Sequence, residues 1–303
     1  MADLSVKIAG VDFSNPIITA SGTFGFGREY AEFYPLEKLG GISCKGITLK
    51  RRDGNPPPRI AETPSGILNA VGLQNPGVDV FIEQDLPWLK KQNTVVIANI
   101  AGNTPEEYCQ MAEKLSDTDV DMIEMNISCP NVKSGGVQFG TSCESVGAIT
   151  SEVRKHCTKP LIVKLSPNVT DIASIAKSAE ASGADAISMI NTLTGMRIDI
   201  NTRRPIIHNN TGGMSGPAVF PIAVRMVWQV ANAVNIPIIG MGGIATWQDA
   251  VEMLMAGASA LQVGTVLFSD PYAPIKINEG LNKFLDDNNM SSVTELTGTV
   301  IPW

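Results

Sequence analysis

Eight short apolar runs, separated by stretches of helical pattern, constrain this chain more than any other feature. They lie near 16–20 (PIITA), 42–48 (ISCKGIT), 94–101 (TVVIANIA), 121–128 (DMIEMNIS), 160–166 (PLIVKLS), 186–191 (AISMIN), 236–241 (IPIIGM) and 260–266 (ALQVGTV). Each is nearly continuous rather than alternating, which suits parallel strands buried on both faces. Helical signals fall between several of them. Thr104-Pro105-Glu106-Glu107 reads as a capping box with proline at the first helical position, ahead of Met111, Ala112 and Leu115. Thr170 is placed to cap a helix carrying Ile172, Ile175, Ala176 and Ala179, which Gly183 would terminate. Thr246-Trp247-Gln248-Asp249 opens another helix, ending at Gly257. Eight strands alternating with helices over ~250 residues predict an α/β chain folded as a (β/α)8 TIM barrel. A doubly wound sheet is the competing architecture, because strand number alone does not close a barrel. Its nucleotide fingerprint is missing, since Gly22-Thr23-Phe24-Gly25-Phe26-Gly27 has the wrong glycine spacing.

Val6 to Phe13 alternates around Gly10 and predicts a short hairpin ahead of the barrel. The intervals after the second, fourth and sixth runs are longer than the rest. They hold turn and loop residues: Asn55-Pro56-Pro57-Pro58, Lys133 to Thr141, and Arg197 to Gly216. Insertions directly after strands cover the C-terminal face of a barrel, where long loops serve as lids or partner surfaces. No linker divides the chain, so residues 1–303 are expected to form a single domain.

Only 17% of the residues are charged, and the formal net charge is −7. Phosphate backbones require clustered Lys and Arg, so this balance argues against a nucleic-acid partner. No apolar run reaches the ~18 residues of a membrane span, and the N-terminus lacks a secretory pattern, so a cytoplasmic protein is expected. The five cysteines, at 44, 109, 129, 143 and 157, are odd in number and contain no C-x-x-C pair. That pattern predicts reduced thiols and neither a zinc site nor an iron–sulfur cluster within the chain. His156 and His208 lack metal spacing and are expected to be surface or loop residues.

The chemistry gathers where the runs end. Gly240-Met241-Gly242-Gly243 closes the seventh run and Gly264-Thr265 the eighth. Loops in these two positions commonly hold a phosphate through backbone N–H groups; tight turns are the alternative. Two lysines, Lys45 and Lys164, fall in the otherwise apolar second and fifth runs. Burying a lysine is costly without a partner or a role. Each could be a structural ion pair, a counter-ion to a carboxylate substrate, or a charge stabilising the N1–O2 side of a reduced flavin. Asn69, Asn75, Asn99, Asn126, Asn131, Asn191 and Thr192 cluster at the same ends, and their donor–acceptor character suits a flat, polar heterocycle. With no usable histidine, Cys129 in Asn126-Ile127-Ser128-Cys129-Pro130-Asn131 is the best candidate for a general base, although a lone cysteine beside proline can equally be structural. These residues point to a barrel oxidoreductase binding a flavin phosphate, and do not identify its substrate.

The ordered set Ala20-Ser21-Gly22, Cys44-Lys45-Gly46, Asn69 to Asn75, Asn126 to Asn131, Lys164 to Pro167, Ile190-Asn191-Thr192, Gly212 to Gly216, Gly242-Gly243 and Gly264-Thr265 resembles the dihydroorotate dehydrogenase family over essentially the whole chain. The resemblance implies FMN-dependent oxidation of (S)-dihydroorotate to orotate in pyrimidine synthesis. By family pattern, Ser21, Lys45, Gly46, Asn99, Asn126, Lys164, Ile190, Gly216, Gly242, Gly243, Gly264 and Thr265 would hold FMN. Lys45, Asn69, Ala70, Val71, Gly72, Leu73, Asn126, Asn191 and Thr192 would hold the substrate. Cys129 would take the C5 proton while the C6 hydride passes to flavin N5. A cysteine there, rather than serine, resembles the soluble class 1 enzymes, and no N-terminal extension of the membrane-associated class 2 type is seen.

Lys133 to Thr141, and Ile198 to Asn201 through Arg204-Pro205, resemble the B-type catalytic subunit. That implies a partner electron-transfer subunit carrying FAD and a [2Fe-2S] cluster, electrons passing to NAD+, and a heterotetramer of two chains of each kind. Val132 to Thr141 would be the lid over the thiol. Cys143 departs from the family pattern and is expected to be a buried or surface thiol with no assigned role. The alternatives are a fumarate-reducing homodimer of class 1A kind, a related barrel acting on uracil-type bases, and a flavin-binding assembly subunit without catalysis.

Overall fold

The computed structural model describes residues 2–128 and 139–303. All eight apolar runs contain a strand: β1 (Ile17–Thr19), β2 (Gly41–Ser43), β3 (Val95–Ile100), β4 (Met122–Asn126), β5 (Leu161–Lys164), β6 (Ala186–Met189), β7 (Ile238–Met241) and β8 (Ala260–Val263). Every neighbouring pair is parallel, and β8 pairs with β1, so the sheet closes into a barrel in chain order. Closure excludes the doubly wound alternative, which must leave two open edges. The strands are shorter than the apolar runs. Ser43 ends β2, so Lys45 lies beyond the strand rather than within it.

Among the described residues six longer helices wrap the barrel: Pro105–Ser116, Cys143–His156, Ile172–Ala181, Phe220–Ala231, Trp247–Met255 and Ala273–Asp287. Thr246 and Asp249 form the reciprocal capping box, with the threonine hydroxyl accepting from the Asp249 N–H and the Asp249 carboxylate accepting from the Thr246 N–H at 2.8 Å. At Thr104 only half of the expected box forms. The Glu107 carboxylate reaches one residue further and accepts from the Asn103 N–H at 2.7 Å. The helix expected to start from Thr170 is capped instead by Asp171, whose extended backbone lets its carboxylate accept from the Ser174 N–H. Gly183 follows that helix at φ +99°, where the left-handed conformation favours glycine, and lets the Ala184 N–H reach the Ala179 carbonyl.

The hairpin Val6–Ile8/Val11–Phe13 forms as expected. Its Phe13 ring lies against Gly41 at the start of β2, at the N-terminal end of the barrel. The long loops after β2 and β6 hold structure that sequence pattern did not reveal. Ile60–Thr63, Gly66–Asn69, Gly212–Ser215 and Leu193–Gly195 pair antiparallel into a separate four-stranded sheet over a small core of Leu68, Ala70 and Ile207. These strands are short, three of the four bear glycine, and the central pairing joins residues about 145 positions apart, so no local signal marks them. Gly213 allows this sheet to meet the barrel, because a Cβ there would fall 2.1 Å from Thr192 Oγ1.

Asn75 ties the loop after β2 to the barrel. Its Oδ1 accepts from the Thr48 and Gly77 N–H groups, while its Nδ2 donates to the Leu73 carbonyl at 2.7 Å and to Thr48 Oγ1 at 2.8 Å. Leu73 is thereby held at φ +57°, a left-handed conformation that costs a non-glycine residue on the order of 1 kcal/mol. Asn75→Ala would leave several buried groups unpaired and is expected to lower the unfolding free energy by about 2–3 kcal/mol, measured by urea denaturation. A change within error would show that the loop is held by other contacts.

Candidate active site

The C-terminal ends of the barrel strands open into a cavity, and the added four-stranded sheet forms one of its walls through Ile60, Ile67, Asn69, Met214 and Ser215. Most of the expected residues line it: Ser21, Lys45, Gly46, Asn69, Val71, Gly72, Leu73, Asn99, Asn126, Lys164, Ile190, Asn191, Thr192, Gly242, Gly243, Gly264 and Thr265. Ala70 and Gly216 do not. Ala70 is fully buried in the core of the wall sheet, since neighbouring strand residues face opposite ways. Gly216 stands behind Gly243, with its carbonyl 2.8 Å from where a Gly243 Cβ would lie. Asn75, grouped by sequence with the ligand-facing amides, is instead the loop tie described above. Cys129 and Asn131 lie outside the described residues, as does most of the expected lid.

Two layers of the barrel interior set the floor of this cavity. In such barrels alternate strands contribute each layer, usually with branched apolar side chains. Here the even-numbered strands contribute Ser43, Glu124, Ser188 and Gln262, all at most 1% exposed. Glu124 is their centre. Its Oε2 accepts from the Ser43 hydroxyl at 2.8 Å and from Asn99 Nδ2, and its Oε1 accepts from Gln262 Nε2 at 2.8 Å. Above it, β5 brings Lys164 Nζ to 3.8 Å from Glu124 Oε2 and 3.4 Å from Ser21 Oγ. Burial alone would push the Glu124 carboxyl up. Lys164, with hydrogen bonds from Asn99 and Ser43, outweighs that effect and holds it below the usual carboxylate range.

This network fixes which way the cavity amides point. An ionised carboxylate only accepts, so Asn99 and Gln262 must turn their NH2 groups down to Glu124. Their carbonyl oxygens, Asn99 Oδ1 and Gln262 Oε1, are then buried without a hydrogen-bond partner among the described residues. Asn126 is set the other way. Its Oδ1 accepts from the Ser128 N–H, the Ser128 hydroxyl and Asn191 Nδ2, which leaves its NH2 to donate toward the cavity. The Tyr108 hydroxyl pins the same strand end by donating to the Asn126 carbonyl at 2.8 Å. The cavity floor therefore offers two acceptors, a donor and a lysine, beside glycine-bearing exits from β7 and β8.

Sequence reasoning missed Glu124, Gln262, Ser43 and Ser215. Glu124 stood inside an apolar run, where an acidic residue at a barrel-facing position was itself the available signal. Among the described residues, Cys44, Cys109, Cys143 and Cys157 are free thiols and none lines the cavity. Burial pushes the Cys44 thiol far up, which makes it a core residue despite its place beside Lys45. Cys143 is exposed. On the outer helices Cys109, Glu152 and His156 bring their ligand atoms within 4.8 Å of one another, a grouping invisible to sequence spacing because Cys109 comes from another helix. The Glu152 carboxylate there is held by Lys155 at 2.6 Å. No helix among the described residues is long and apolar enough to cross a membrane.

The pattern of the dihydroorotate dehydrogenase family matches residues 3–285. Full-length relatives are similar throughout. The protein of Lachnoclostridium phytofermentans named dihydroorotate dehydrogenase B (NAD(+)), catalytic subunit, is 57% identical over 296 residues, covering 98% of this chain and 99% of the relative. Proteins of the same name from Alkaliphilus metalliredigens and Petrotoga mobilis are 56% identical over 298 residues and 53% identical over 300 residues. They cover 98% and 99% of this chain, and 99% and 100% of their own lengths. With its closed barrel, its polar cavity floor and this continuous similarity, the chain belongs to the dihydroorotate dehydrogenase family.

Proposed function

We propose that this chain is the FMN-bearing catalytic subunit of an NAD+-linked dihydroorotate dehydrogenase, oxidising (S)-dihydroorotate to orotate in de novo pyrimidine biosynthesis. The observation that carries the reading is the cavity floor, where two buried carbonyls lack partners beside a buried lysine. An unpaired buried carbonyl costs about 1–3 kcal/mol, so a ligand N–H belongs there. The pyrimidine edge of a flavin alternates C=O and N–H groups and fits that need. Bound FMN would supply a hydride acceptor at N5 for the substrate's C6 hydrogen.

The roles assigned to the chain's own residues follow from this fit. Asn99, Asn126, Lys164, Ser21, Lys45, Gly46 and Ile190 would grip the ring system. Gly242, Gly243, Gly264 and Thr265 would approach the phosphate with their backbone, with Gly216 supporting Gly243 from behind. Asn69, Val71, Gly72, Leu73, Asn126, Asn191 and Thr192 would hold the planar substrate, with Lys45 available to its carboxylate and Ala70 anchoring the segment from the wall core. Cys129 would accept the C5 proton as a thiolate, favoured by positive charge nearby. Residues 1–303 would work as one cytoplasmic flavin domain. Electrons would leave through a partner subunit carrying FAD and a [2Fe-2S] cluster, in a heterotetramer of two chains of each kind.

Anaerobic addition of dihydroorotate to the FMN-loaded chain is expected to bleach the flavin absorbance; a flavin that stays oxidised would refute catalysis. Cys129→Ala should keep FMN but reduce it ~10²–10⁴-fold more slowly, the usual effect of losing a general base, as read by stopped-flow absorbance. Cys129→Ser should shift the pH profile of that step to higher pH. Fumarate-dependent orotate formation by the isolated chain is expected to be negligible, and robust turnover would instead identify a self-sufficient enzyme.

A further inference from the structure

We propose that Glu124 is a positioning residue that sets the reduction potential of the bound flavin, acting as the buried counter-charge to Lys164 and as the anchor that turns the Asn99 and Gln262 carbonyls toward the cavity. The inference rests on the FMN reading above. Glu124 is fully buried and does not line the cavity, yet three residues that do line it, Asn99, Lys164 and Gln262, all converge on its carboxylate. A purely structural layer does not need this arrangement. Replacing a buried ion pair by packed apolar groups is often neutral or stabilising, and Val, Ile and Leu are the common fillers of such barrels.

The electrostatic consequence has a definite sign. Negative charge develops at the pyrimidine end of a flavin on reduction, and a lysine beside it favours the reduced form. A carboxylate 3.8 Å from that lysine withdraws part of the effect and keeps the flavin more reducing. A low potential is what a flavin needs when its electrons must finally reach an acceptor as reducing as NAD+. Orientation acts in the same place. Without an acceptor below them, Asn99 and Gln262 could rotate and present NH2 groups, which would also favour added negative charge on the ring.

The test is the midpoint potential of bound FMN, measured by equilibration with reference dyes. Glu124→Gln is expected to shift the equilibrium at least tenfold toward reduced flavin, a rise of about 30 mV for a two-electron couple. If Glu124→Gln does not accumulate as folded protein, Glu124→Asp keeps the charge but draws it back by one methylene, and a smaller rise of about threefold is expected. A folded variant that binds FMN at the wild-type potential, even with lowered thermal stability, overturns the role of Glu124. A chain that takes up no FMN in wild-type form overturns the flavin reading itself, so the two failures are distinct.

Discussion

A carboxylate and an ammonium group 3.8 Å apart inside the barrel govern the rest of the site. Both charges are buried, so each depends on the other and on the hydroxyl and amide groups around it. Because Glu124 can only accept, the Asn99 and Gln262 side chains have no freedom to flip, and their carbonyls become fixed features of the cavity. Lys164 is in turn held between Glu124 and Ser21. One buried acidic residue thus orders the floor on which a cofactor would rest, and it does so from a layer that the cofactor would never touch.

The wall of the cavity has a different origin. The barrel supplies a rigid ring of strand ends, but the Asn69–Leu73 segment reaches the cavity only because loops from β2 and β6 pair with each other. That pairing has its own small core, and Asn75 couples it to the barrel through Thr48. A site built this way combines precise floor groups on strands with a wall on loops, which is where substrate selectivity is most easily adjusted.

Much of this was legible in the sequence. The eight runs, the glycine exits after β7 and β8, and the capping residues at Thr104 and Thr246 carry their meaning locally, through periodicity, left-handed backbone needs and hydrogen bonding within one turn. Seventeen of the residues named from the family resemblance line one cavity. Errors arose where a neighbour competed for the same local role: Asp171 displaced Thr170 as the cap, and Glu107 bonded to Asn103 rather than completing its box. Lys45 lies beyond β2: the apolar pattern continues past the point where the hydrogen-bonded ladder stops.

The sequence by itself determined the alternation of strands and helices, and hence a barrel with chemistry at one end, because burial and turn propensities act over short spans. Only the tertiary structure decided which polar residues face one another. Ser43, Glu124, Ser188 and Gln262 meet because alternate strands of a closed barrel share a layer, and that closure is a property of the whole sheet. Asn75 and Asn99 look alike in sequence, and one ties a loop while the other lines the cavity. The difference lies in what stands opposite each amide: Thr48 and Leu73 for the first, and a buried carboxylate for the second.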